Sequence, residues 1–137
     1  MIPENPVYGD KPWSEEVRSY AAMVALIDRD VGRVMQKLKD LGLDDKTLVI
    51  FSSDNGANEV FIEPLGSTGG LRGYKRLLYE GGTREPGIVV WPGKVKAGTT
   101  ADFLIQSTDL YPTLIRIAGG ERQPGQKLDG FDQSEAL

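Results

Sequence analysis

The chain has 137 residues, 39% of them hydrophobic and 26% charged, the proportions of a folded domain large enough to bury a core. A net charge of −4 argues against nucleic acid or an anionic membrane as a general partner, and no run of eighteen apolar residues exists to span a bilayer. With neither cysteine nor histidine, disulfides, thiolate metal sites, a cysteine nucleophile and the commonest general base are excluded within these residues.

The opening MIPENPVYGDKPWSEE holds no basic segment followed by an apolar one, so it does not read as a signal peptide; if the parent protein is exported, its signal lies elsewhere. Ser14 followed by Glu15 and Glu16 reads as a helix start, a hydroxyl cap and then acids in the positive first turn. Apolar residues recur at Met23, Leu26, Ile27, Val31, Val34, Met35, Leu38 and Leu41, the stripe of an amphipathic helix over residues 14–41 that Gly42 ends. Met23, Met35 and Leu38 are expected in the core. TLVIFSS (47–53) is a β-branched and aromatic run typical of a strand buried on both faces. GIVVWPG (87–93) reads as a second strand and DFLIQS (102–107) as a shorter third. Thr108 and Asp109 then open DLYPTLIRIAGG, a helix with Pro112 in its first turn and Gly119-Gly120 as its stop. Helix, strand, long loop, strand, strand, helix predicts an α/β fold with a mainly parallel sheet flanked by helices.

Three stretches carry candidate chemistry. In FSSDNGANEV (51–60), Asp54-Asn55-Gly56 follows the first strand directly. Asn-Gly is a strong turn signal, so the stretch reads as a tight turn. The other reading is one charged and one neutral oxygen donor at a strand end, a pairing that suits Ca²⁺ or Mg²⁺. Residues 71–96 hold six Lys and Arg against Glu80 and Glu85, a local charge of +4 that leaves −8 for the rest. A basic, glycine-rich loop of this kind suits a sulfate or phosphate ester, or else a solvated loop whose arginines pair with Glu80 and Glu85. Asp109 reads as a helix N-terminal acid before it reads as an acid–base residue.

Taken in order, these segments resemble the sulfatase family, within the alkaline-phosphatase superfamily. YAAMVALIDRDVGRVMQKLKDLGLDDKTLVIFSSDNG is similar to the family's long helix and metal-binding strand, and LRGYKRLLYEGGTREPGIVVWPGKVKAGT to its substrate-lysine segment. DLYPTLIRIAG and LDGFD resemble the stretch that closes the catalytic domain, so the likeness covers residues 20–132. Judged by EGGTREP and WPG, the chain most resembles the arylsulfatase and N-acetylgalactosamine-6-sulfatase type.

The resemblance implies an alkaline-phosphatase-like sandwich, with Asp54 and Asn55 as calcium ligands and Lys75 binding the sulfate group and supporting the leaving oxygen. It implies that Tyr79-Glu80-Gly81-Gly82 and Arg84 are architectural. The family's Cys/Ser-x-Pro-x-Arg motif, whose first residue becomes formylglycine, has no match among these residues. The expectation is therefore a single partial domain over residues 1–137, the C-terminal part of a sulfatase catalytic domain. Met1 would be an internal start, and the chain alone would be inactive. The parent enzyme would hydrolyse aryl or carbohydrate sulfates with calcium in a periplasmic, secreted or lysosomal setting. The alternatives are a phosphate or phosphonate ester hydrolase of the same superfamily, and a non-enzymatic anion-binding α/β module. Half a parallel sheet would expose an edge, which favours a homo-oligomer.

Overall fold

The computed structural model describes residues 7–136, so Met1 lies outside the described residues. They divide after Val90 into two compact units.

The first unit opens with α1, Glu15–Asp40, capped by Ser14, whose Oγ accepts from the Val17 amide at 3.3 Å. Glu15 and Glu16 lie in its first turn and Lys37 and Lys39 in its last, each favourable to the helix dipole. Leu41 and Gly42 (φ +64°) close it. At 1.5 Å per residue the helix is about 39 Å long, and only its start is covered. Val17, Ala21 and Ala22 are buried, and the Tyr20 ring stacks on buried Phe61 with centroids 3.9 Å apart. Farther along, Met23, Val24, Ile27, Val31 and Val34 are exposed, and Met35 and Leu38 are half-buried. The amphipathic pattern is as expected, but Met23, Met35 and Leu38 do not form a core here, because the described residues leave Met23 exposed and cover Met35 and Leu38 only in part.

A 3₁₀ turn, Asp44–Lys46, leads to β1, Val49–Ser52. The long segment after β1 is built from short pieces: a 3₁₀ turn Glu59–Phe61, a single helical turn α2 (Ile62–Leu65), and a second one, α3 (Glu80–Thr83). Strand β2, Gly87–Val90, returns beside β1. The mixture of helix and sheet is the α/β class expected, but these two strands pair antiparallel, with Val49 opposite Val90 and Ser52 opposite Gly87. The reason is the connection: no helix long enough for a crossover separates them, so the chain folds back on itself. Both strands are also less buried than an all-apolar run suggests, with Phe51 38% and Ile88 54% exposed.

In the second unit, residues 102–106 form no strand; Phe103 and Leu104 are exposed and no neighbouring strand pairs with them among the described residues. Helix α4, Ser107–Ile117, begins one residue before Thr108, which puts Pro112 in its second turn. Its N-terminus is fixed by Asp109, whose Oδ2 accepts from the Gln106 amide (3.0 Å) and whose Oδ1 accepts from the Phe131 amide (2.8 Å). Thr113 Oγ1 accepts from the Gln133 amide at 2.9 Å, so the LDGFD stretch is stitched along α4.

Candidate active site

Asp54 and Asn55 sit where β1 ends. The Asn55 side-chain Nδ2 donates to Asp54 Oδ1 at 2.7 Å, and Ser53 Oγ donates to the Asn55 main-chain carbonyl at 2.9 Å. Asn-Gly does not close a two-residue hairpin here, since the chain runs on for thirty residues before β2. Instead the Gly56 amide donates to the Gly82 carbonyl (3.1 Å), and the Lys75 amide donates to the Ala57 carbonyl (2.9 Å). Two hydrogen bonds thus fasten the basic loop to the strand end that carries Asp54 and Asn55.

Close approach explains why glycines stand at this junction. A Cβ on Gly56 would lie 2.0 Å from the Gly81 oxygen, and one on Gly82 would lie 2.2 Å from the Leu77 oxygen and 2.5 Å from that of Tyr74. Main chain presses on main chain at both points, and no side chain can be admitted without moving it. The EGG motif is therefore architectural, as α3 shows: its two glycines are buried under the Lys75 turn.

The loop's cations divide into two groups. Arg72 is occupied, its guanidinium 3.9 Å over the Tyr79 ring and donating to the Tyr79 hydroxyl at 2.9 Å. Arg84 pairs with Glu80 at 3.2 Å, an exposed bond of small energy. Lys75 and Arg76 are exposed and make no side-chain hydrogen bond or ion pair to any described residue. Tyr74, beside them, has its phenol held above the usual range by the Glu59 carboxylate.

One residue that sequence reasoning did not single out belongs to this place. Continuing the β1–β2 register two residues past the ladder sets Asp54 opposite Glu85. Burial, and then the Asp54 charge, push the Glu85 carboxyl above its ordinary pKa. Glu85 Oε1 is buried with no hydrogen-bond donor among the described residues. Like charges facing each other across two strands destabilise unless something positive lies between them. The signal was present in the sequence, but only an antiparallel register exposes it. Asp109, by contrast, serves α4 and the segment that follows it. Its carboxyl is held below the usual range by the Gln106 amide and then the Phe131 amide.

The donor set fits a hard divalent cation: two carboxylates, one orphaned, and a carboxamide whose oxygen is free to accept. Among the described residues no three of His, Cys, Asp and Glu converge, so six to eight oxygens are not assembled here.

Comparison with known proteins decides the family. The family model described as Sulfatase matches residues 3–120. The chain belongs to the sulfatase family. It is 45% identical to human arylsulfatase A over 111 residues, which is 81% of this chain and 22% of that protein. It is 35% identical to the N-acetylgalactosamine-6-sulfatase of Canis lupus familiaris over 136 residues, 96% of this chain and 26% of that protein. Among solved structures, it superposes on Ps i-CgsB in complex with k-i-k-neocarrahexaose with a TM-score of 0.83 and 34% identity, over 93% of this chain and 28% of that one. The PsFucS1 sulfatase from Pseudoalteromonas sp. gives a TM-score of 0.72 and 38% identity, over 88% of this chain and 24% of that one. The sulfatase chain described here therefore spans about a quarter of the length of the curated relatives it matches.

Proposed function

We propose that this chain supplies one wall of the catalytic centre of a sulfuric ester hydrolase acting on aryl or carbohydrate sulfates. The observation that supports the reading is the pair of main-chain bonds that fasten the Lys75 turn to the Asp54-Asn55 strand end. In this reading Lys75 takes the ester's sulfate oxygens, and its ammonium offsets charge that builds on the bridging oxygen as the S–O bond breaks. Asp54 and Asn55, with Glu85 behind them, hold calcium, which when bound would polarise the same sulfate group. The formylglycine nucleophile and the remaining oxygen donors lie outside these 137 residues, whose sequence has no Cys/Ser-x-Pro-x-Arg motif. Without a nucleophile the chain alone has no covalent route and turns over no sulfate ester.

The test is hydrolysis of 4-nitrophenyl sulfate by a polypeptide that joins this sequence to a sulfatase nucleophile segment. Turnover is expected to need calcium and to fall by about 10²-fold or more on Lys75→Ala, the scale of losing one charge-stabilising donor. Turnover insensitive to Lys75→Ala would refute the assigned role. A stronger preference for 4-nitrophenyl phosphate would replace the sulfatase reading with a phosphatase one.

A further inference from the structure

Lys75 and Arg76 occupy the two central positions of a four-residue turn closed by the Leu77 amide donating to the Tyr74 carbonyl at 2.9 Å. Arg76 has φ = +82°, the only positive φ at a non-glycine residue among those described. With Lys75 at negative φ, this is the third position of a type II turn, where glycine or asparagine is the ordinary occupant. A long side chain there carries backbone strain that a glycine would spare. Such strain persists only where the surroundings over-determine it, and it gathers at ligand clamps. The surroundings do over-determine this turn: Lys75 N is bonded to Ala57, and the carbonyls of Tyr74 and Leu77 rest on Gly82.

Among the described residues, the side chain shows nothing that would repay the strain. Arg76 is exposed and bonded to no described residue. It lines a shallow cavity of about 60 Å³ with Asn58, Glu59, Tyr74 and Lys75. Two cations against Glu59 leave that cavity with a charge of +1. Its one carboxylate faces the Tyr74 phenol.

We infer that Arg76 is a specificity residue whose guanidinium takes a second sulfate group on the same carbohydrate while Lys75 takes the group to be cleaved. The inference rests on the sulfate-ester reading of Lys75. A guanidinium suits this task because its planar fork matches two oxygens of one anion and cannot lose its charge at working pH. The strained turn holds the two cations on adjacent residues, so the preferred substrate class is a saccharide with sulfates on neighbouring positions, bound more tightly than a monosulfate.

The test is an NMR titration of the 137-residue chain at low ionic strength with a monosulfated and a disulfated form of one disaccharide. The wild type is expected to bind the disulfated form about fivefold more tightly, the upper range for an exposed charge pair. Arg76→Gln should bring that ratio to about one, and Arg76→Lys should keep part of it. Arg76→Gly should also abolish the ratio, yet melt at or above the wild-type temperature, because it releases the turn. A ratio that survives Arg76→Gln, or a lower melting temperature in Arg76→Gly, overturns the inference alone, provided Lys75→Ala still weakens both ligands. If neither compound binds the wild type, this inference and the Lys75 reading fall together.

Discussion

Replacing Gly56 by alanine tests whether the site is assembled by main-chain contact. The added Cβ would lie 2.0 Å from the Gly81 oxygen, 2.7 Å from the Gly82 Cα and 2.9 Å from the Gly81 carbonyl carbon, all backbone atoms. Ordinary contact begins near 3.4 Å, so the loop must retreat by about 1.4 Å, the difference between the two figures. That retreat breaks the 3.1 Å bond from the Gly56 amide to Gly82 and draws the Lys75 turn from the Ala57 carbonyl. Overpacking costs about 1–3 kcal/mol and the lost hydrogen bond about 1 kcal/mol, together about 2–4 kcal/mol. For a chain of this size that is a fall in Tm of about 6–15 °C. Thermal melts give the stability, and hydrogen exchange of the Lys75 amide gives the contact, which should lose protection. Gly87→Ala is the control, because a Cβ there meets nothing within 4 Å. A Gly56→Ala variant melting within about 2 °C of wild type, with its Lys75 amide still protected, would refute the close-approach reasoning.

Other outcomes can be measured on the same chain. Ser14→Ala removes the cap on the Val17 amide and should cost about 1 kcal/mol in urea denaturation, with the slope unchanged. The Asp109 carboxyl is held below its unfolded value, so its stabilisation is fully present above about pH 4 and is lost as pH falls through the folded value. Melts from about pH 6 down to pH 3 should therefore show an acid limb that Asp109→Asn flattens. Glu85→Gln removes a charge facing Asp54 and should raise stability in calcium-free buffer, by less than about 1 kcal/mol because the group is only half-buried. Added calcium should then raise the melting temperature of the wild type more than that of Glu85→Gln. Equal shifts would argue against Glu85 at the cation site.

The local elements were legible because local chemistry decides them. Ser14, the acids after it and Gly42 delimit α1 through caps and the helix dipole, which need no partner. Asp109 as a helix N-terminal acid follows from the same rule, although its bond to the Phe131 amide, 22 residues away, does not. The ordered motifs carried the family and the positions of Asp54, Asn55 and Lys75. Apolar runs misled where burial was inferred from composition: residues 102–106 hold a strand-like pattern without a strand to pair with among the described residues. The α1 stripe likewise shows which face is apolar but not what covers it.

Sequence alone determined the ends of α1, the presence of β1 and β2 and the residue types at each candidate position, because propensity, capping and side-chain chemistry act over a few residues. Tertiary structure decided the direction of strand pairing, the fastening of the Lys75 turn to the Asp54 strand end, and the placing of Glu85 opposite Asp54. Each of these joins residues about twenty to forty apart. The pairing depends on main-chain hydrogen bonds and the fastening also on glycines whose missing side chains permit contact, and neither leaves a periodic trace in the sequence. Arg76 shows the division within one residue: its charge is read from the sequence, and its left-handed backbone, the reason to ask what it binds, only from the fold.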